Sequence, residues 1–572
     1  MISAKSVLKA IAVSFVLAGS AYAVSKIDLF GLESNSDRLA DHVYQRVTAA
    51  EYGKARKGQQ AVSVIYVDET SVETLKGFGW NRFPPTFDQQ WLMLDDILNV
   101  GGAPPAAMFM DFVYLGQGGV AEGFDGFLQG IAGATRADVW ADKPGCRTDP
   151  LIKIACIVEA GGVPMIFAKP SPADLEMFTE AQAAMDRVAV LAPALVAEDA
   201  YPLITSYDFD RAKAERLGVA RFDISPALAM YAAWCVRRAD GCGIAEFQEL
   251  KRRAKAALAG GEAASPTFAK VFDAPLDVVW GSRPDPAFLT MTQAVSGHPA
   301  PCRTGAATWG DRLAEQMAGL RGPGEGARQE CPYTLSLGYD RLVAGHGLEP
   351  QDLERLLAGR LVMVGGHFRA SSDWVESPVH GQVPGVQFHA MALDNMIEQG
   401  ANYRRNGEAL LDSDLLESLL VAALAFCGVL GVMTRNNLLD KAKATGMEPR
   451  LRSAVYGPLY IVLFATSIGV VSFATWLGVT VANRSPINWI GITGVAMGFL
   501  FYATRQTLPA DICGSLERSA LARRLLAWGR LCFDSLKFEE DRLLPVRPPQ
   551  TPPSIPIPET KAVPESPAHA QS

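Results

Sequence analysis

The sequence predicts an α/β domain built on a mixed or mostly parallel sheet with helices on both faces, followed by a three-helix transmembrane bundle. Three observations predict it. Short, nearly continuous apolar runs at 62–67, 106–112, 163–168 and 361–364 read as strands covered on both faces. Between the first two, Trp91, Leu94, Ile97 and Leu98 fall on one stripe of a helix over 88–100, so strand, helix and strand make a crossover unit. Further on, three nearly uncharged spans, 415–433, 455–481 and 486–504, are each long enough at about 1.5 Å per residue to cross a hydrocarbon core of roughly 30 Å.

Composition agrees with this division. The chain has 572 residues, 49% of them hydrophobic, and a mean hydropathy of +0.10, enough for one large domain plus membrane spans. The loop after the first span holds Arg435, Lys441, Lys443, Arg450 and Arg452, and the last span is followed by Arg505, Arg518, Arg523, Arg524 and Arg530. Basic loops face the cytoplasm. The large domain is therefore expected outside, with both termini inside. Residues 1–24, 434–454 and 505–572 carry a net +6 against the chain's −8, so the remainder carries −14. An outer domain that acidic repels nucleic acid and other polyanions, which excludes them as partners.

Taken in order, Lys5 and Lys9 precede an apolar run in residues 1–24, read as a signal anchor or a signal peptide ending at Ala21-Tyr22-Ala23. Residues 25–414 form the outer domain. Within it, Ser225-Pro226 reads as an N-cap with proline at the first helical position. The Gly- and Ala-rich stretches 254–266 and 319–326 read as loop or insertion. After the spans, Ile512, Leu516, Ala520, Leu525 and Trp528 share a helical face with arginines interspersed, a basic amphipathic helix over 505–544 suited to the lipid bilayer or to a partner. The Pro-rich tail 545–572 cannot build a core. Gly494 and Gly498 form a GxxxG in the last span, a point where a second copy could approach to make a homodimer.

Six cysteines, Cys146, Cys156, Cys235, Cys242, Cys302 and Cys331, precede the spans. Pairing of sequence neighbours would join 146 with 156, 235 with 242 and 302 with 331, as suits an oxidising compartment. Buried free thiols are the alternative. No Cys-x-x-Cys or His-rich pairing points to a metal.

The densest motif runs from Gly359 to Asn395. Leu361–Val364 reads as a buried strand halted by Gly365 and Gly366 in a tight turn where a backbone or ligand comes close. A polar loop with Asp373 follows, and then Phe388, Met391, Ala392 and Met396 at helical spacing. The strand, the glycine pair, the aspartate, then S-P, P-G-V and F-H-A-M-A-L-D-N resemble the C-terminal signature of the CHASE2 domain, an extracytoplasmic sensor module of bacterial receptors. Upstream, VSVIYVD at 62–68, Gly79-Trp80-Asn81-Arg82 and AAMFMDF at 106–112 resemble its N-terminal strand, turn and second strand. Asn81 stands where the family more often has proline. The resemblance implies a sensor spanning roughly 60–400, in a chain set in a bacterial inner membrane. In fused receptors of this kind a cyclase or kinase follows the spans; here about 68 residues follow residue 504, so the output is expected to come from a separate cytoplasmic signalling protein engaged through the tail.

Chemistry centres on Asp68, Asp111 and Asp373, each near a strand end. Parallel neighbouring strands would gather them at the edge where open α/β sheets bind ligands. With Glu69 and His389 they could hold a divalent cation; singly, each could instead cap a turn or helix. His389 reads first as a hydrogen-bonded packing residue. Arg82 would pair with an aspartate or meet an anionic ligand. The candidate ligand residues are thus Asp68, Arg82, Asp111, Gly365, Gly366, Asp373 and His389, for an unknown extracytoplasmic ligand. No nucleophile elbow, Walker A, H-E-x-x-H or kinase signature is present, so no enzyme activity, cofactor or resident metal is expected. The rival readings are a scaffold subunit of an envelope complex and a metal-dependent enzyme built on the aspartates.

Overall fold

Period-two alternation in the strands decides the architecture, because each strand sends successive side chains to opposite faces. The computed structural model describes residue 11, residues 41–405 except 43, 47, 80–84, 100–101, 113–122, 148, 170–179, 195–200, 207–221, 269–270, 273, 289–330, 344–347 and 369–372, and residues 422, 426, 437, 438, 440, 441, 444–446 and 469. The chain divides into two compact units, Met1–Gly498 and Phe499–Ser572, and every described residue belongs to the first.

In chain order the elements are α1 (Lys57–Ala61), β1 (Val62–Asp68), α2 (Glu69–Leu75), α3 (Phe87–Asn99), β2 (Ala107–Asp111), α4 (Phe124–Thr135), α5 (Ala137–Trp140), α6 (Pro150–Glu159), β3 (Met165–Lys169), α7 (Glu180–Asp186), β4 (Val190–Pro193), β5 (Ile204–Ser206), β6 (Phe222–Ile224), α8 (Pro226–Arg237), α9 (Ala245–Leu258), β7 (Leu335–Gly338), α10 (Pro350–Leu357), β8 (Leu361–His367), β9 (Trp374–Ser377), β10 (Gly381–Pro384) and α11 (Gly385–Gln399). Six strands form one sheet in the order β4-β3-β2-β8-β1-β7, and every neighbouring pair is parallel. β5 with β6 and β9 with β10 make separate antiparallel ribbons. The crossover expected between β1 and β2 exists, but it skips a position: β8 lies between them, paired with both.

Two cores result. Val62, Val64, Phe109, Ile166, Leu361 and Met363 face α6, α8, α9 and α11, while Ile65, Val67, Met108, Met110, Val362 and Val364 face α3, α4 and α10. Each fully buried aliphatic side chain of this kind contributes about 1.5–3 kcal/mol. Helix starts follow the local chemistry: Ser225 accepts from Leu228 N at 3.2 Å and Asp149 from Ile152 N at 2.8 Å, each with proline opening the helix. Disulfides Cys146–Cys156 and Cys235–Cys242 fasten α6 and α8 to adjoining turns. Cys331 is disulfide-bonded too; Cys302, its expected partner, lies outside the described residues.

Several expectations are corrected. The α/β class and the parallel sheet stand, but the transmembrane bundle does not: no helix among the described residues is long and apolar enough to cross a membrane. The longest, α11, has 15 residues, about 22 Å at the helical rise and short of a roughly 30 Å core. The segments 415–433, 455–481 and 486–504 lie almost wholly outside the described residues, as do residues 1–24, apart from Ile11, and 505–572. Ala254 to Leu258, expected in a loop, close α9, where Ala254 and Ala257 are buried; 319–326 lies outside the described residues. Gly365 and Gly366 do not end their strand in a turn. β8 runs through both to His367.

Candidate functional site

The carboxyl edge of the sheet collects several of the candidate residues by register alone. Asp111 ends β2 opposite Gly365, and Asp68 ends β1 opposite His367. Their roles then separate. Asp68 is the N-cap of α2, accepting from Ser71 N at 2.7 Å, with Ser71 Oγ also 2.7 Å away. Ser71 Oγ in turn lies 3.2 Å from Asp340. The Asp68 carboxylate is thereby committed to a helix start.

Asp111 has no such employment. It extends β2 on the Phe109 face of the sheet, its Oδ2 is sealed from solvent, and that oxygen has no hydrogen-bond partner. Burial, and then the Asp373 charge, push its carboxyl well above the usual range. Asp373 sits at the start of α11, where its backbone oxygen accepts from Gly385 N at 3.1 Å. Its carboxyl is also raised by burial, offset by a hydrogen bond from the Gly385 backbone. A Cβ at Gly385 would meet Asp373 Oδ1 at 2.2 Å, so a side chain there would displace this carboxylate.

The glycine pair of β8 serves packing. A Cβ at Gly365 would fall 2.5 Å from Val386 Cβ, so Gly365 admits the first turn of α11 onto the sheet. Gly366 points to the other face, toward Phe368 and Phe112. Neither glycine has a positive φ, and at Gly365 the close approach is made by Val386.

His389 lies on α11 beneath this edge, buried, with Nδ1 2.7 Å from Tyr201 Oη. Tyr201 Oη accepts from Ala227 N at 3.2 Å, leaving its proton for His389 Nδ1. Burial pushes the imidazole down to about 4, against a hydrogen bond to the Ala194 backbone, so the ring is neutral. Its ring also packs edge-on against Phe109 at 5.4 Å. Arg82 lies outside the described residues. Among the described residues no group of three or more His, Cys, Asp or Glu could hold a metal ion; of the set named by the rival metal reading, Asp68 caps a helix and His389 lies inside the core.

Sequence reasoning missed a second polar cluster at the far end of α11. Asp394 is fully buried and accepts from Tyr52 Oη at 2.6 Å, while Asn395 Oδ1 accepts from Val279 N at 2.8 Å. Asn395 Nδ2 lies 2.9 Å from both Tyr52 Oη and Val279 O, and Glu398 accepts from Gly58 N at 3.2 Å. Burial pushes the Asp394 carboxyl up to about 8. Beyond the helix, buried Arg404 pairs with Asp41 at 2.9 Å and Asp277 at 2.7 Å. The signal was present in the sequence: an Asp-Asn pair inside an otherwise apolar helical run has to be satisfied internally.

With this geometry in view, residues 324–432 match the CHASE2 domain family. The chain contains a CHASE2 domain. The matched segment supplies β7, β8, the β9–β10 ribbon and α11, and it includes the C-terminal signature, while 62–68 and 106–112 lie outside it. The fold nevertheless joins them, since β1 and β2 flank the CHASE2 strand β8 on either side. CHASE2 is a sensory family, and a sensor role is consistent with the match. No curated protein and no solved structure matches the chain.

Proposed function

We propose that this chain is a non-catalytic extracytoplasmic sensor at the bacterial inner membrane that reports an environmental signal to a separate cytoplasmic partner. One observation carries the reading: α11, inside the CHASE2 match, starts against the open carboxyl edge at Asp373 and Gly385 and ends in the buried cluster that holds residues 52–58 and 279. A ligand that moves the first turn of α11 therefore loads a helix locked at its other end, and it passes a signal if it binds the two positions of the helix with different affinity. The two described disulfides, with Cys331 also oxidised, support work in an oxidising compartment.

The test is crosslinking and affinity purification from native membranes with residues 505–572 present or deleted. Recovery of a cytoplasmic kinase, cyclase or protease that disappears on deletion is the expected result. Recovery of envelope proteins alone, indifferent to the deletion, would overturn the reading in favour of a scaffold.

A further inference from the structure

We propose that the carboxyl edge of the sheet binds an organic ammonium ligand, with Asp111 and Asp373 supplying negative charge and the rings of His367 and Trp374 supplying an aromatic wall. The inference rests on the sensor reading above and names the ligand class for it.

The placement comes from register. Asp111 lies opposite Gly365, and two residues further along the same face of β8 comes His367. The His367 ring is 5.0 Å from that of Tyr66 and 5.4 Å from that of Trp374, the neighbour of Asp373. Tyr66, Asp111, His367 and Trp374 are half-buried and Asp373 is exposed, so solvent reaches this corner at Asp373 and the rim of rings, while Asp111 Oδ2 lies sealed just behind them. Tyr66 Oη is held by Gln387, which also reaches Ser336 at 2.7 Å, and that bond fixes the ring at the base of the wall.

The charge there is incomplete. The Gly385 backbone at the N-terminus of α11 answers Asp373. Asp111 Oδ2 has no partner, and its neighbouring charge is another carboxylate. A sealed carboxylate oxygen beside a like charge needs a proton donor or a cation. A divalent metal wants six or more oxygen ligands, and no metal-holding group exists among the described residues. An anion is repelled. An ammonium brings N–H donors to the carboxylates, and its carbon substituents and charge lie well against aromatic faces.

Isothermal titration of the full chain with ethylammonium chloride tests this, with sodium chloride at equal ionic strength as control. Saturable binding is expected, weakened at least tenfold by Asp111→Asn and severalfold by Trp374→Ala, and unaffected by Glu73→Gln on exposed α2. Binding equal in wild type and both variants would overturn the proposal. So would an absence of saturable heat, with acid alone raising the melting temperature in wild type and not in Asp111→Asn, because the pair then shares a proton and nothing more. Failure of ammonium binding while partner capture stays dependent on 505–572 removes the ligand class and leaves the sensor reading; loss of both removes the two together.

Discussion

The two ends of α11 make the same electrostatic mistake and resolve it differently. At the N-terminal end Asp111 and at the C-terminal end Asp394 are carboxyls raised chiefly by burial, each with one sealed oxygen lacking a partner. Asp394, however, is enclosed on all sides and fully inaccessible, so the missing partner there is a proton, and the neutral acid becomes part of a packed latch with Tyr52 and Asn395. Asp111 stands at a rim of half-buried rings with a second carboxylate beside it. A raised carboxyl alone therefore does not mark a ligand site. Both unpaired oxygens are sealed; what distinguishes the two is what lies next to them, a closed core at Asp394 and the half-buried rings with the Asp373 carboxylate at Asp111.

The comparison breaks most violently at Gly58. In a free helix, replacing glycine with alanine stabilises by up to about 1 kcal/mol. Here a Cβ would sit 2.0 Å from Asp394 Oδ2, and overpacking against a buried group costs about 1–3 kcal/mol or more. Gly58→Ala is expected to lower stability by about 3 kcal/mol in urea titration. Stability unchanged or raised would mean that the latch is not close-packed.

Next comes pH. The Asp394 carboxyl, pushed up to about 8 from 3.8, holds a proton in the folded state that the unfolded chain has released. Its contribution is present at low pH and is lost as pH rises from about 4 through 8, by a few kcal/mol in total. His389, pushed down to about 4 from 6.5, works in reverse: the unfolded chain takes the proton first, so stability falls by roughly 3 kcal/mol as pH drops from about 6.5 to below 4. Asp41, raised to about 7 by burial and Asp277 beside Arg404, adds to the alkaline loss. Between about pH 4 and 6.5 the two losses outweigh the single gain from His389, and above 6.5 the gain is complete, so stability should decline with rising pH and most steeply just above 6.5. Asp394→Asn should flatten this decline and His389→Gln should steepen it between about pH 4 and 6.5; a profile insensitive to both would mean that neither group is held as its burial implies.

How much of this was legible follows from the same contrast. The strands at 62–68, 107–111, 165–169 and 361–367 announce themselves because they are covered on both faces and carry unbroken apolar runs. β4 and β7 are short edge strands, and their four-residue runs are too brief to stand out from buried loops. The carboxyl-edge position of Asp68 and Asp111 was readable from their place at strand ends. Their different fates were not, because capping by Asp68 depends on Ser71 folding back onto it, whereas the isolation of Asp111 depends on the arrival of Asp373 from 262 residues further along the chain. The glycine pair misled as a strand end, because β8 continues through it to His367 and Gly365 makes room for Val386 instead of a turn.

Reduction of the disulfides sharpens the comparison from a third side. Cys146–Cys156 and Cys235–Cys242 close short loops, with sequence separations of 10 and 7, on helices packed against the same core as α11. Each bridge is worth about 2–3 kcal/mol. Dithiothreitol should lower the melting temperature by several degrees while leaving ethylammonium affinity within twofold, since neither bridge touches the carboxyl edge. Loss of binding on reduction would tie the site to the rigidity of α6 and α8.

The smallest effect expected is the most discriminating between the two aspartates that looked alike in sequence. Asp68 gives its Oδ1 to Ser71 N and Ser71 Oγ, so Asp68→Ala should cost about 1 kcal/mol, as for an ordinary N-cap, and Asp68→Asn or Asp68→Ser should restore most of it. Ligand affinity should not move in any of the three. Asp111→Asn, by contrast, replaces a carboxyl raised by burial and by the Asp373 charge and should leave stability near neutral pH unchanged while weakening ethylammonium binding. A double-mutant comparison of unfolding and titration places the two residues on opposite axes: one moves stability alone, the other binding alone. If Asp68→Asn also abolished binding, the edge would act as a single carboxylate cluster across β1, β8 and β2, and the division between helix cap and ligand carboxylate drawn from the geometry would be wrong.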